Sequence, residues 1–240
     1  MTVRFLSAGD RALVVEFGDR VDRTVSAEVL RLDAVIRSAR IEGVVETVPT
    51  FRSLMVYYEP LTTTRAGLER AITNLLERDT LSNAVATLWR VPACYEDAFA
   101  PDLAEVARLT GLTPQEVIAL HSGTRFHVYM LGFLPGFPYM GDLPETLALP
   151  RRAEPRLRVP AGSISIATNL TAIYPYESPG GWHLIGATPI RLFDERRPKP
   201  ALLTPGDGVL FQPIDPDTFM SIRDSVEKGG YQIEGTPIEV

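Results

Sequence analysis

Four arginines, Arg151, Arg152, Arg156 and Arg158, stand within eight positions of a chain whose overall charge is negative. A guanidinium is a planar fork of donors that grips carboxylate or phosphate through two parallel hydrogen bonds. In an extended run, residues two apart share a side, so Arg156 and Arg158 would point together. They could then form an anion site for a substrate carboxylate or phosphate. The competing reading is a solvated face, with the arginines paired to Glu154 and other carboxylates. Three histidines come next: His121 at the end of an expected helix, His127 at the start of an expected strand, and His183 in the turn Gly180-Gly181-Trp182-His183. No two have the i, i+4 spacing of a helical metal site. Singly they read as a capping or surface residue, a strand-edge residue and a loop residue. His183 is the best placed of them to touch a ligand, because its loop is a candidate pocket wall.

Other chemistry is sparsely represented. Cys94 is the single cysteine, so no intrachain disulfide can form. It has no helix N-terminus or local cation to favour a thiolate and reads as a small buried hydrophobe. No cluster resembles a zinc site, and no G-x-S-x-G elbow, phosphate-binding P-loop or dinucleotide glycine fingerprint is present. Ser163 and Ser178 read as exposed-turn serines. Residues 132–186 are rich in Gly, Pro and aromatics, which describes a shaped, ordered surface built on strands. Phe133, Phe137, Tyr139, Tyr174, Tyr176 and Trp182 belong to it. They could line a small-molecule pocket, pack as core beneath the Pro-rich loops, or anchor a partner protein.

The elements that must position these residues change character along the chain. Ala12–Phe17 is an expected strand entered through Gly9-Asp10. Asp22 caps an expected helix reaching about Arg40, with Val25, Val29, Leu32, Ile36 and Ala39 on one face. Val44–Val48 and Leu54–Tyr58 are expected strands joined by a hairpin loop at Pro49–Ser53. Thr64 caps a second helix carrying Leu68, Ala71, Ile72, Leu75 and Leu76, and Ala86–Val91 is the next strand. The order βαββαβ predicts a ferredoxin-like α+β domain over residues 1–84. Residues 85–240 open with helices at 101–110 and 114–121, the second carrying the capping-box pattern Thr113-Pro114-x-Glu116. Short strands and turns follow: Phe126–Leu131, Ser163–Ala167, Ala172–Tyr174, Trp182–Ile185, Ile190–Phe193 and Val209–Pro213. Asp215 caps a last helix to about Glu227, and Tyr231–Ile233 closes the chain as a strand. Many short strands with Gly/Pro turns predict a mainly β barrel or sandwich.

The chain has 240 residues, 45% hydrophobic, 22% charged and a formal net charge of −6. That is a globular composition with enough apolar surface for one large core or two smaller ones. An acidic chain with no basic run carries no electrostatic footprint for nucleic acid or an anionic membrane. The opening MTVRFLSAGDRALVVEFG lacks a signal peptide's apolar core, and no stretch of about 20 apolar residues is present. A soluble cytoplasmic protein is expected.

At these same residues the chain resembles the PxpB family, the B subunits of bacterial 5-oxoprolinase. That family includes the KipI kinase inhibitors and proteins labelled allophanate hydrolase subunit 1, and related sequences form half of the carboxyltransferase region of urea carboxylase. The matching stretches are VPACY (91–95), PDLAEVA (101–107), EVIALHS (116–122), GFLPGFPYMGDLP (132–144), PRRAEPRLRVPAGSISIA (150–167) and YPYESPGGWHLIGATP (174–189). FLSAGDRALVVEFG also looks like the family's start. The resemblance implies a ferredoxin-like domain followed by a cyclophilin-like β-barrel. It implies an enzyme component that associates with a PxpC-like partner, and with the A component PxpA, coupling ATP hydrolysis to opening of the 5-oxoproline lactam to give glutamate. ATP would be used by the assembled complex, its site lying on this chain or on another, and this chain would carry no metal and no biotin. The matching positions expected to line the cleft are Phe133, Pro135, Gly136, Phe137, Tyr139, Arg156, Pro160, Ala161, Gly162, Ser163, Tyr174, Pro179, Gly180, Gly181 and Trp182. Arg156, Arg158 and His183 are the substrate- or anion-binding candidates. Relatives commonly read A-G-x-Q-T-G-I-Y-P where this chain has Ala167-Thr168-Asn169-Leu170-Thr171-Ala172-Ile173-Tyr174-Pro175. Leu170 lacks the amide of a glutamine. Glu96-Asp97 and Asp142 also replace common small residues. These departures leave open a different amide substrate, a KipI-like inhibitor of a histidine kinase, or an allophanate- or urea-directed component.

Overall fold

Periodicity and caps account for the helices. The computed structural model describes residues 3–77 and 85–239. Helix α1 (Arg23–Ala39) starts where the Asp22 carboxylate accepts from Val25 N–H, and Val25, Val29, Leu32 and Ile36 are buried along one face. Ala39, expected on that face, is exposed in the last turn, where the stripe has rotated off the sheet. Helix α2 (Arg65–Leu76) is capped by Thr64 and buries Leu68 and Ile72. Both pack on a four-stranded antiparallel sheet of order β1-β2-β4-β3, made from Arg4–Ser7, Ala12–Glu16, Ser53–Tyr58 and Val44–Pro49 (β1, β2, β4 and β3).

The element order of this first unit is therefore ββαββα, which corrects the expected βαββαβ. The fourth strand is β1, hairpinned onto β2 through Ala8 N–H to Ala12 O. Strand β5 (Val85–Ala93), expected in that place, belongs to the other sheet. The expected boundary at residue 84 lies outside the described residues; the chain divides into two compact units between Val85 and Ala86.

The second unit is built on an eight-stranded mixed sheet. Its strands are β5, β6 (Phe126–Leu131), β7 (Pro138–Gly141), β9 (Ser163–Ala167), β10 (Leu170–Ile173), β12 (His183–Ala187), β13 (Gly208–Pro213) and β14 (Gly235–Glu239). Their order is β12-β9-β10-β7-β6-β13-β5-β14, with β13 parallel to β5. Just beyond β5, Cys94 exchanges both backbone hydrogen bonds with Ala187 at the end of β12 (2.8 and 2.9 Å), so the sheet curls until it meets itself. A short ribbon pairs β8 (Arg156–Val159) with β11 (Ser178–Gly180). Helices α3 (Leu103–Thr110), α4 (Pro114–Gly123) and α5 (Pro216–Glu227) complete the unit, and the expected Thr113/Glu116 capping box is present.

Two expected strands are absent. Ile190–Phe193 is irregular, since Ile190 and Leu192 are buried by side-chain packing and Phe193 makes an isolated bridge to Ala201. Tyr231–Ile233 is coil leading into β14. The fold is mixed α/β with one large mixed sheet. Among the described residues no helix is long and apolar enough to cross a membrane, and no group of three or more His, Cys, Asp or Glu could hold a metal ion.

Candidate functional site

The predicted site residues separate into three groups. The first is an aromatic cluster. Phe137, Tyr174 and Trp182 are buried, with Phe137 edge-on to Tyr174 at 5.1 Å and to Trp182 at 6.4 Å, and Tyr139 is packed 5.0 Å from Phe137. With Val159, Ala167, Ala172 and Leu184 they form a separate small core, which selects the packing alternative over an open pocket for these rings. Burial pushes the Tyr174 hydroxyl up to about 12. Gly180 is required there, because a Cβ at that position would lie 2.3 Å from the Tyr174 oxygen. Phe133 sits at the rim, 61% exposed. It holds a left-handed φ of 69° in the tight turn that joins β6 to β7, ahead of exposed Pro135 and buried Gly136 (φ 74°).

The second group surrounds Asp102, a residue the sequence reading did not single out. Its carboxylate is buried at the start of α3 and does not cap that helix. It accepts from Arg152 Nη1 (3.0 Å), Arg156 Nη2 (2.6 Å) and Leu184 N–H (2.7 Å). Gly181 O accepts from Arg152 N–H, and His183 Nε2 lies 3.0 Å from Pro150 O, so His183 stands beside this hub. Arg152 Nε, Arg156 Nη1 and His183 Nδ1 are buried without a partner. Arg158 goes elsewhere: its guanidinium bonds Glu177 at 2.8 Å on an exposed face. Arg156 and Arg158 therefore do not form a joint fork. Each has found a carboxylate, Asp102 or Glu177, neither of them the Glu154 suggested by proximity.

The third group forms a pocket of 410 Å³. Pro160, Ala161, Gly162 and Ser163 make one wall, and Thr188, Pro189 and Ile190 the next. Gly162 has φ 83°, and a Cβ on it would stand 2.4 Å from the Thr188 carbonyl oxygen. Its N–H donates to Tyr174 O and its carbonyl accepts from Thr188 N–H, so the wall is fixed backbone to backbone. The floor is apolar, from Phe99 packed 4.3 Å from Phe219, with Leu184 and Ala187. Arg191 and Arg223 supply positive charge, and Glu227 a carboxylate. An apolar floor with a few charged groups at the mouth suits a small polar ligand. Pro179 is exposed and outside this lining.

Phe219, Arg223 and Glu227 were not identified from the sequence, although their spacing of four places them on one face of α5. His121, read as a capping or surface residue, is fully buried. Thr171 Oγ1 donates to Ser165 O, so it accepts from His121 Nε2, and His121 Nδ1 accepts from the Tyr95 hydroxyl (2.9 Å). Burial pushes its pKa down to about 3. The ring is a neutral structural link joining α4 to Tyr95, just beyond β5, and to β10. Cys94 is buried, and burial raises its thiol pKa.

Comparison with known proteins gives these features a family. The family described as carboxyltransferase domain, subdomain C and D, matches residues 3–203. The B subunit of 5-oxoprolinase from Bacillus subtilis is 35% identical over 240 residues, covering 93% of this chain and 99% of that protein. Its counterpart from Escherichia coli O157:H7 is 41% identical over 206 residues, covering 85% and 93%. Among solved structures, TTHA0988 superposes with a TM-score of 0.76 at 35% identity, covering 85% of this chain and 40% of that one. The urea amidolyase of Kluyveromyces lactis shares the fold, with a TM-score of 0.79 at 20% identity, covering 98% of this chain and 16% of that one. With the family model matching residues 3–203 and a 35%-identical B subunit covering 93% of the chain, the chain belongs to the PxpB family of 5-oxoprolinase B subunits.

Proposed function

We propose that this chain is the B subunit of a 5-oxoprolinase-type, ATP-dependent lactam hydrolase, acting in the cytoplasm and inactive alone. It contributes one wall of a cleft completed by a PxpC-like partner, with a PxpA-like protein as a further component. The observation that carries this reading is the 410 Å³ pocket walled by Pro160–Ser163 and Thr188–Ile190, because its walls come largely from stretches that carry the family resemblance and it presents guanidiniums to an open side. A lactam is a poor electrophile. Phosphorylation of its oxygen by ATP would break amide resonance, and cations would stabilise the charge that develops. Ser163 lines the pocket with no general base among its lining residues but the Glu227 carboxylate, which agrees with a chain that completes a site. Partnership is supported by two solved relatives in which the matching region is part of a longer chain: it spans two fifths of TTHA0988 and about a sixth of the K. lactis urea amidolyase.

Co-expression with PxpC-like and PxpA-like partners tests the proposal. The expected result is a stable complex that hydrolyses ATP only when 5-oxoproline is present and releases glutamate. A complex that forms but hydrolyses ATP with allophanate or urea instead moves the chain to the amidolyase side of the family. No association, together with inhibition of a sensor histidine kinase by the isolated chain, favours the KipI-like role.

A further inference from the structure

One polar group in the 410 Å³ pocket is used by no atom of the protein. Ser163, expected from the sequence as an exposed-turn serine, is only 5% exposed, at the start of β9 and opposite Ala187 of β12. Its N–H donates to Pro160 O and its carbonyl accepts from Tyr174 N–H, so both backbone groups are occupied. Its hydroxyl has no hydrogen-bond partner among the described residues. Unlike Arg152 Nε, Arg156 Nη1 and His183 Nδ1, that hydroxyl is not sealed from solvent. Because Ser163 lines the pocket, the pocket is what the hydroxyl opens to.

The remaining polar lining is either occupied or at the mouth. Thr188 Oγ1 accepts from Ile190 N–H at 3.2 Å, and Arg191 is held 3.6 Å from Asp194. Arg223 and Glu227 are exposed, and neither side chain makes an ion pair or hydrogen bond among the described residues. They stand one turn apart on α5, with the cation before the anion, the less favourable order for pairing with each other. The helix therefore presents a charged donor and a charged acceptor side by side, their Cβ atoms about 5–6 Å apart. The floor, from Phe99, Phe219, Leu184 and Ala187, is apolar.

A lone hydroxyl can satisfy a neutral carbonyl, whereas a buried charge loses far more on desolvation than one hydrogen bond returns. The inner end of a ligand is therefore uncharged, and its anionic end belongs at the mouth against Arg223. Glu227 beside that arginine calls for an N–H next to the ligand's carboxylate. We propose that this pocket recognises an N-acylated α-amino acid, open-chain or cyclic. Arg223 takes the carboxylate, Glu227 accepts from the adjacent amide N–H, and Ser163 donates to the amide carbonyl. 5-Oxoproline is the cyclic member of this class, so in naming that ligand the inference rests on the function proposed above. It goes further in assigning three binding residues and in fixing which end of the ligand enters first.

Backbone-amide NMR of the full chain, titrated with 5-oxoproline and separately with N-acetylalanine, tests the assignment. Saturable shifts are expected at Gly162, Ser163 and Thr188 with millimolar ligand. Ser163→Ala should weaken both ligands about fivefold without lowering the unfolding midpoint, because the hydroxyl has no protein partner to lose. Proline, which has no amide carbonyl, should bind equally to the unaltered chain and to Ser163→Ala. Arg223→Gln should weaken both acylated ligands roughly tenfold. Glu227→Ala should weaken 5-oxoproline and leave its N-methyl derivative, which has no N–H, unchanged. The proposal is overturned if neither acylated ligand shifts these amides at about 50 mM, or if Ser163→Ala leaves both affinities intact. Binding of N-acetylalanine alone, weakened by Ser163→Ala, upholds the pocket assignment and removes the lactam from the proposed function. Turnover of 5-oxoproline by the assembled complex with kcat and KM unaltered by Ser163→Ala and Arg223→Gln upholds that function and overturns the pocket assignment.

Discussion

Asp102 is the residue on which the most depends. One buried carboxylate satisfies two guanidiniums and a backbone N–H, from Arg152, Arg156 and Leu184. Asp102→Ala would strand both cations, and removing one side of a buried ion pair costs about 3–5 kcal/mol. Urea unfolding should show a loss of that size, far larger than for Arg158→Ala, whose partner Glu177 is exposed. The arginine cluster was legible in the sequence, and so was the chance that it was paired. Its partner was not, because Asp102 is 50 and 54 residues upstream and only the fold brings it near. Thr168 is the opposite case. It occupies a left-handed φ of 54° in the two-residue turn between β9 and β10, at a position where the resemblance leads one to expect glycine. That conformation costs a β-branched residue about 1–2 kcal/mol. Thr168→Gly should raise the denaturation midpoint by an amount worth about 1 kcal/mol with an unchanged slope. The departure from the family pattern was visible in the sequence, whereas its cost required the backbone angle.

Among the elements, those with long periodic patterns and caps were readable: α1, α2, α4 and α5 begin at the expected residues Asp22, Thr64, Thr113 and Asp215. Five short strands, β1, β7, β8, β11 and β14, were not, although β2, β9 and β12 are as short and lie at or near their expected positions. β1 is largely exposed, and β8 and β11 form a small ribbon that contributes only Val159 to the aromatic core. Assigning β5 to the wrong sheet had a different cause. Its pattern shows that it is a strand, but pairing is decided by β13, which lies more than 100 residues away in the chain and runs parallel to it. The β8–β11 ribbon also makes a testable fit with the aromatic core. Gly180→Ala should destabilise the chain by about 2 kcal/mol through overlap with the Tyr174 hydroxyl. Adding Tyr174→Phe should recover part of that loss, so a double-mutant cycle should be clearly non-additive.

For the whole molecule, acid stability is set in part by a group with no role at the pocket. His121 stays neutral when folded, with a pKa near 3 against an ordinary value of 6.5. Between those values the unfolded chain binds a proton that the folded chain refuses, so stability falls as pH decreases through this window and is fully present above it. The slope from this one group reaches at most about 1.4 kcal/mol per pH unit. Unfolding free energies measured from pH 7 to pH 4 should show it, and the imidazole resonances should remain those of the neutral ring. Assembly is the other property of this scale, and the prediction is ATP turnover with all three components present and none from this chain alone.

Strand β14 has a consequence for solubility. It is the edge strand of the large sheet and contains Pro237, a residue that interrupts a ladder of backbone donors and is at home on an edge. Beside it in the sheet lies the first part of β5, where Thr87 and Trp89 are residues that favour strand pairing. The edge strand thus acts as a lid against edge-to-edge self-association. A chain shortened to end at Glu234 should keep its helices by circular dichroism yet form oligomers that grow with concentration, and light scattering would detect them.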